Sequence, residues 1–135
     1  MSIVQSIRPM PVLLEKDVSL AATSGTTVGI SVPAGVTVLA AGFQNYVVVA
    51  DVTTYTLDVT DGTTVFANDL NFDNTAANSN KGGVTPGFIA AADTIDVVTT
   101  ISGSPGVITG RVWAVVIDCG AGTRSSATVD RDQLA

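Results

Sequence analysis

The chain has 135 residues, 46% of them hydrophobic and 13% charged, with one Cys, no His and a formal net charge of −6. A chain of this length supports one domain with a single buried core. One Cys allows no intrachain disulfide, the missing His removes the commonest general base and transition-metal ligand, and a pI near 4.1 has the wrong sign for wrapping nucleic acid or resting on an anionic membrane.

Mean hydropathy is +0.45, although the charged fraction is about half of the ~25% usual in soluble domains. No apolar run reaches the ~18 residues of a membrane-spanning helix, and the opening MSIVQSIRPMP lacks the cationic-then-apolar layout of a signal peptide. Apolar surface in excess therefore has two destinations. One is a subunit interface or larger assembly, the usual meaning of a contiguous exposed apolar patch. The other is a β domain whose outside is coated by Thr, Ser and Asn.

In chain order, residues 1–25 carry Pro9, Pro11 and the short apolar group Val12, Leu13 and Leu14, and are expected to form an N-terminal arm. Strand chemistry then dominates, with 21 Val and 18 Thr against seven Leu and a single Glu, because β-branched side chains suit a pleated surface. In TTVGISVPAGVTVLA, Val28, Ile30 and Val32 alternate with Gly29 and Ser31, and Pro33-Ala34-Gly35 breaks the run. Phe43 to Val52 is apolar almost throughout. Tyr55, Leu57 and Val59 then alternate with Thr56, Asp58 and Thr60 up to Asp61-Gly62, a hairpin signal of the two-residue type.

From Asn68 to Phe88 the composition turns to Asn, Asp, Gly and small residues, and the expectation is a long loop offering a contact surface, with Phe72 and Phe88 as anchors or as pins to the core. Ile95, Val97 and Ile101 share a strand face. Val112 to Ile117 is apolar on both faces, as for a central strand covered on two sides, and Trp113 needs a partner for its indole N–H if buried. Residues 119–135 are polar and begin with Gly-rich sequence, the expected C-terminal arm. The division is an arm over 1–25, a β-sandwich domain over 26–118 and an arm over 119–135. Six to eight strands separated by turn signals predict an all-β fold, an antiparallel β-sandwich with jelly-roll-like order.

The search for chemistry yields no catalytic, cofactor-binding or metal-binding set. Asp58, Asp61, Asp69 and Asp73 lie near one another in sequence, but they lack the spacing of a calcium loop, and Asp at strand ends is ordinary turn chemistry. Cys119 has no imidazole to activate it. Gly120-Ala121-Gly122 lacks the third glycine and following apolar helix of a dinucleotide loop. Arg8, Arg111, Arg124 and Arg131 are scattered without interleaved aromatics, so Arg124 and Arg131 are read as partner contacts to carboxylates on neighbouring subunits rather than as a nucleic-acid stripe.

The strand motifs TTVGISVPAGVTV, YTLDVTDGTTVFANDL, AADTIDVVTTISG and GVITGRVWAVVID, spanning Thr26 to Asp118, resemble the small β-rich virion proteins of tailed bacteriophages, the decoration or cement proteins. The resemblance implies a non-enzymatic structural protein on the outer capsid surface, often trimeric, with the major capsid protein and its own copies as partners and no cofactor. The alternative is a phage fibre, tail or cell-surface module that attaches to carbohydrate. Val12, Leu13, Leu14, Phe72, Phe88, Arg124 and Arg131 are the expected partner contacts.

Overall fold

The structure, a computed structural model, describes residues 10–118; Cys119, Gly120, Arg124 and Arg131 lie outside the described residues, as does Arg8. The described residues form nine strands: β1 Val12–Leu20, β2 Gly25–Val32, β3 Val36–Asn45, β4 Val52–Thr60, β5 Val65–Asn71, β6 Asn80–Gly83, β7 Gly87–Ile89, β8 Asp93–Gly103 and β9 Ile108–Asp118. They form two antiparallel sheets. The first has the order β1-β9-β3-β6, with β7 also on β3, and the second the order β2-β8-β4-β5.

The order follows from one long hairpin rolled up. β6 and β7 pair with opposite halves of β3, Ala41–Gln44 and Val36–Val38 respectively, and act as one interrupted strand. The rungs are then β1 with β9, β2 with β8, β3 with β6 and β7, and β4 with β5. Rolling adds β3–β9 and β4–β8. This is a jelly roll, the double-sheet solution for an antiparallel chain that must bury one face of each strand.

Between the sheets lies one core. Tyr55, Leu57 and Val59 point inward with Ile95 and Val97, all fully buried, against Leu20, Phe43 and Ile108 of the first sheet. The Pro33-Ala34-Gly35 turn stands where expected, with Gly35 at φ 88° and its N–H bonded to Ile89 O at 2.8 Å. The Asp61-Gly62 turn also connects two strands, but it is wider than the two-residue form. Thr60 pairs with Val65, so four residues turn the chain, and Asp61 Oδ1 caps it by accepting from Thr63 N at 2.8 Å and Thr64 N at 2.6 Å.

Three expectations change. Residues 12–20, read as part of an arm over 1–25, are edge strand β1, paired with β9 from Val12↔Val116 to Leu20↔Ile108. Val18 and Leu20 enter the core and Leu14 packs against it, whereas Val12 and Leu13 of the apolar group stay exposed. The loop expected from Asn68 to Phe88 holds the end of β5 and all of β6 and most of β7. Its remaining irregular part is fastened down by buried Asn45, whose Nδ2 donates to Val47 O at 2.7 Å and Ala76 O at 2.9 Å while its Oδ1 accepts from Ser79 N at 2.8 Å. Finally, β9 is central in its sheet but covered on one face: Val112, Ala114 and Val116 are buried, whereas Trp113, Val115 and Ile117 are half-buried on the outside.

The two open flanks of the sandwich are each bridged by a lysine. Lys16 Nζ on β1 donates to Gly29 O on β2 at 3.0 Å. Lys81 Nζ on β6 donates to Asn71 O on β5 and sits 5.2 Å from the centroid of the Phe72 ring. These are the two lysines of the sequence.

Candidate assembly interface

The two outer faces of the sandwich have opposite character. On the second sheet, cross-strand register places Thr56 beside Thr100 and Asp58 beside Val98, a surface mostly of Thr and Asp suited to water. On the first sheet, Leu13 pairs with Val115, Val115 with Ala40, and Ile117 with Thr37, which in turn pairs with Phe88. Cross-strand partners share a face, so these side chains form one apolar field. Leu13 is 54% exposed and Phe88 55%.

Leu39 joins this field through an irregularity. Val38 pairs with Val116 and Ala40 with Val115, which leaves Leu39 as the extra residue of a β-bulge and 36% exposed. A bulge gives up regular pairing and re-aims a side chain; here the re-aimed side chain is a leucine turned toward solvent.

Trp113 lies in the next row, between Glu15 and Gly42 by register. A Cβ on Gly42 would come within 2.5 Å of its Cζ2, and one on Gly82 within 2.6 Å. The indole therefore lies across two bare backbones, which glycine alone permits at such approach. Its Nε1 donates to Asn80 Oδ1 at 2.7 Å, the partner that a partly buried indole requires. A shallow depression of about 220 Å³ is bounded by Leu13, Gln44, Asn80, Trp113 and Val115 with Glu15 and Arg111.

Polar groups close the opposite end of the face. Tyr46 Oη donates to Asp17 Oδ1 at 2.5 Å and accepts from Arg111 Nε at 3.0 Å, and Arg111 also pairs with Glu15. The hydrogen bond to Tyr46, and then that to Glu15, hold the guanidinium even further above its ordinary high pKa. Both carboxylates of this face thus have partners on it.

The sequence-derived contact residues divide. Leu13 and Phe88 lie on the apolar face. Val12 and Leu14 alternate to the other side of β1, Val12 being exposed at the sheet margin and Leu14 half-buried. Phe72 is withdrawn from any partner: it is 0% exposed and packs edge-on to Phe43 with centroids 5.7 Å apart. Three of the four clustered aspartates serve the backbone, and Asp69 Oδ2 accepts from Asn68 Nδ2 at 2.9 Å. Asp58 Oδ1 accepts from Asp69 N at 2.7 Å, Asp73 Oδ1 from Tyr55 N at 2.5 Å, and Asp61 caps its turn. Among the described residues no three acidic or thiol groups gather at a site for a metal ion. Sequence reasoning missed Leu39, Val115 and Ile117 as surface residues; the apolar character of both faces of β9 was the available signal.

No protein-family model matches the chain, and no curated protein sequence matches it. Its fold does have solved counterparts. A chain in the capsid asymmetric unit of cyanophage Pam1 superposes with a TM-score of 0.59 at 13% identity, over 87% of this chain and 91% of that one. A chain in the acid-stable capsid of Helicobacter pylori bacteriophage KHP30 superposes with a TM-score of 0.53 at 12% identity, over 81% and 92%. At these identities the likeness is one of fold, and it extends over nearly the whole of chains similar in size to this one.

Proposed function

We propose that this chain is a structural virion protein of a tailed phage, a decoration protein that lies on the outer capsid surface and stabilises the shell by bridging neighbouring subunits of the major capsid protein. The observation that carries the reading is a jelly roll with one water-suited face and one apolar face, in a fold shared nearly end to end with chains of two phage capsids. In this reading the chain acts as a homotrimer, with Arg124 and Arg131 as contacts to neighbouring subunits. No catalytic step is involved.

The mechanism is mass action. A protein that binds the assembled shell and not its separated subunits stabilises the shell by RT ln(1 + [L]/Kd), about 2.7 kcal/mol at a hundredfold excess over Kd. Three linked copies must release together, which raises the apparent affinity by orders of magnitude over a single contact. Mass spectrometry and a cryo-EM map of purified virions of the encoding phage test the proposal. The chain is expected at a fixed ratio to the major capsid protein and outside the shell. Absence from the virion, or a position confined to the tail, refutes it.

A further inference from the structure

We propose that copies of this chain pack on one another through the outer face of the first sheet, with Leu39, Trp113 and Val115 at the centre of the contact and Leu13, Ile117 and Phe88 around them. The proposal goes beyond the preceding reading and does not rest on its homotrimer: a face that meets the same face of a second copy is a two-fold contact and joins copies in pairs.

Three observations select a second copy as the occupant. The first is charge. Residues 10–118 contain ten carboxylates and three cations, so two copies repel unless their carboxylates are kept apart. Seven of the ten, Asp51, Asp58, Asp61, Asp69, Asp73, Asp93 and Asp96, belong to the second sheet or to the loops at its strand ends. The sheets of a sandwich lie ~10 Å apart. Copies meeting through their first sheets therefore hold their second sheets roughly 30 Å from each other, several times the ~8 Å Debye length at physiological salt.

The second is the low charge of the face. Glu15 and Asp17 are held by Arg111 and Tyr46 in its own plane, which leaves two carboxylates against one guanidinium, a net charge of −1 at one end of the face, little to select a basic partner or to repel a copy. The third is size. Strands ~4.8 Å apart with a rise of ~3.3 Å per residue give four strands of nine positions a footprint of about 600 Å². Two copies then cover about 1,200 Å², the lower end of the range for specific interfaces. The Leu39 bulge adds relief to an otherwise flat face at its middle.

Sedimentation velocity on the full chain between 1 and 100 μM tests this, using L39E and V115E against T100E, which adds the same charge to the exposed second-sheet face. The wild type and T100E are expected to form the same oligomer. L39E and V115E are expected to dissociate at concentrations at least tenfold higher while keeping the wild-type far-UV spectrum. An oligomer unchanged in L39E overturns the proposal, because Leu39 lies on the bulge surface and its replacement leaves the core intact. A wild type that stays monomeric up to 100 μM also overturns it, as does a monomeric wild type whose binding to undecorated shells is lost in L39E, which would assign the face to the shell. Virion composition is read separately: a chain absent from virions that still associates through Leu39 refutes the capsid reading and leaves this one standing.

Discussion

Replacing Tyr55 by Phe removes one oxygen atom from the centre of the sandwich and should make the protein more stable. Tyr55 is 0% exposed, and its hydroxyl has no hydrogen-bond partner among the described residues. A buried hydroxyl left unpaired costs about 1–3 kcal/mol, while Phe keeps the ring and its packing. Y55F is therefore expected to gain about 1 kcal/mol in urea denaturation at pH 7. Burial also pushes the Tyr55 phenol up to about 12, against about 10 when the chain is unfolded. The folded protein keeps this proton where the unfolded chain releases it. The stability contributed by the neutral phenol is thus fully present below pH 10 and is lost as pH rises from 10 to 12, by about 2–3 kcal/mol. The difference between wild type and Y55F isolates this residue from other groups that titrate in the same range, and the advantage of Y55F should widen across that window. A Y55F protein that is less stable at pH 7, or a difference that stays flat between pH 9 and 12, refutes the reasoning.

Phe72→Ala should cost about 3–5 kcal/mol, as for other fully buried aromatics, and lower Tm by roughly ten degrees or more; a loss under 1 kcal/mol by calorimetry would mean that Phe72 is not part of the core. Gly82→Val should displace the indole of Trp113, because even a Cβ there meets Cζ2 and Cη2 within 2.7 Å, and the tryptophan emission should shift with the fold retained. Deleting residues 1–14 removes three rungs of the β1–β9 ladder, from Val12↔Val116 to Leu14↔Ala114, and should destabilise the domain by about 2–4 kcal/mol.

The strands that could be read from sequence are those whose buried face is uninterrupted. Tyr55, Leu57 and Val59, or Ile95 and Val97, mark their faces by alternation alone, and the rolled-up pairing then admits few topologies. β1 escaped because its inward row, Leu14, Lys16, Val18 and Leu20, includes a lysine that turns aside to Gly29 O, and because Glu15-Lys16-Asp17 has the charge density of a solvated segment. Charges at that position suit an edge strand, which must not invite another chain. β6 and β7 are short, glycine-containing strands whose pairing is imposed by β3 rather than by their own propensity. The site was legible in part. Alternation separates two faces of a strand but does not say which is dry, and on β9 both are apolar, so the wet side emerged only once the second sheet covered Val112, Ala114 and Val116. The bulge at Leu39 left no mark in the sequence.

The pairing of the first and last described strands has a mechanical consequence. Val12 opens β1 directly beside Val116, two residues before β9 ends at Asp118, so the described chain enters and leaves at the same end of one ladder. A load drawn between those two points opens the β1–β9 hydrogen bonds one rung at a time, as a zip opens. A load carried along the strands from one end of the sandwich to the other meets many rungs in parallel and is resisted by all of them together. A molecule with this wiring bears tension well along its strands and poorly between Val12 and Asp118, so any strain that a surrounding assembly transmits is best taken in the plane of the first sheet, along its strands.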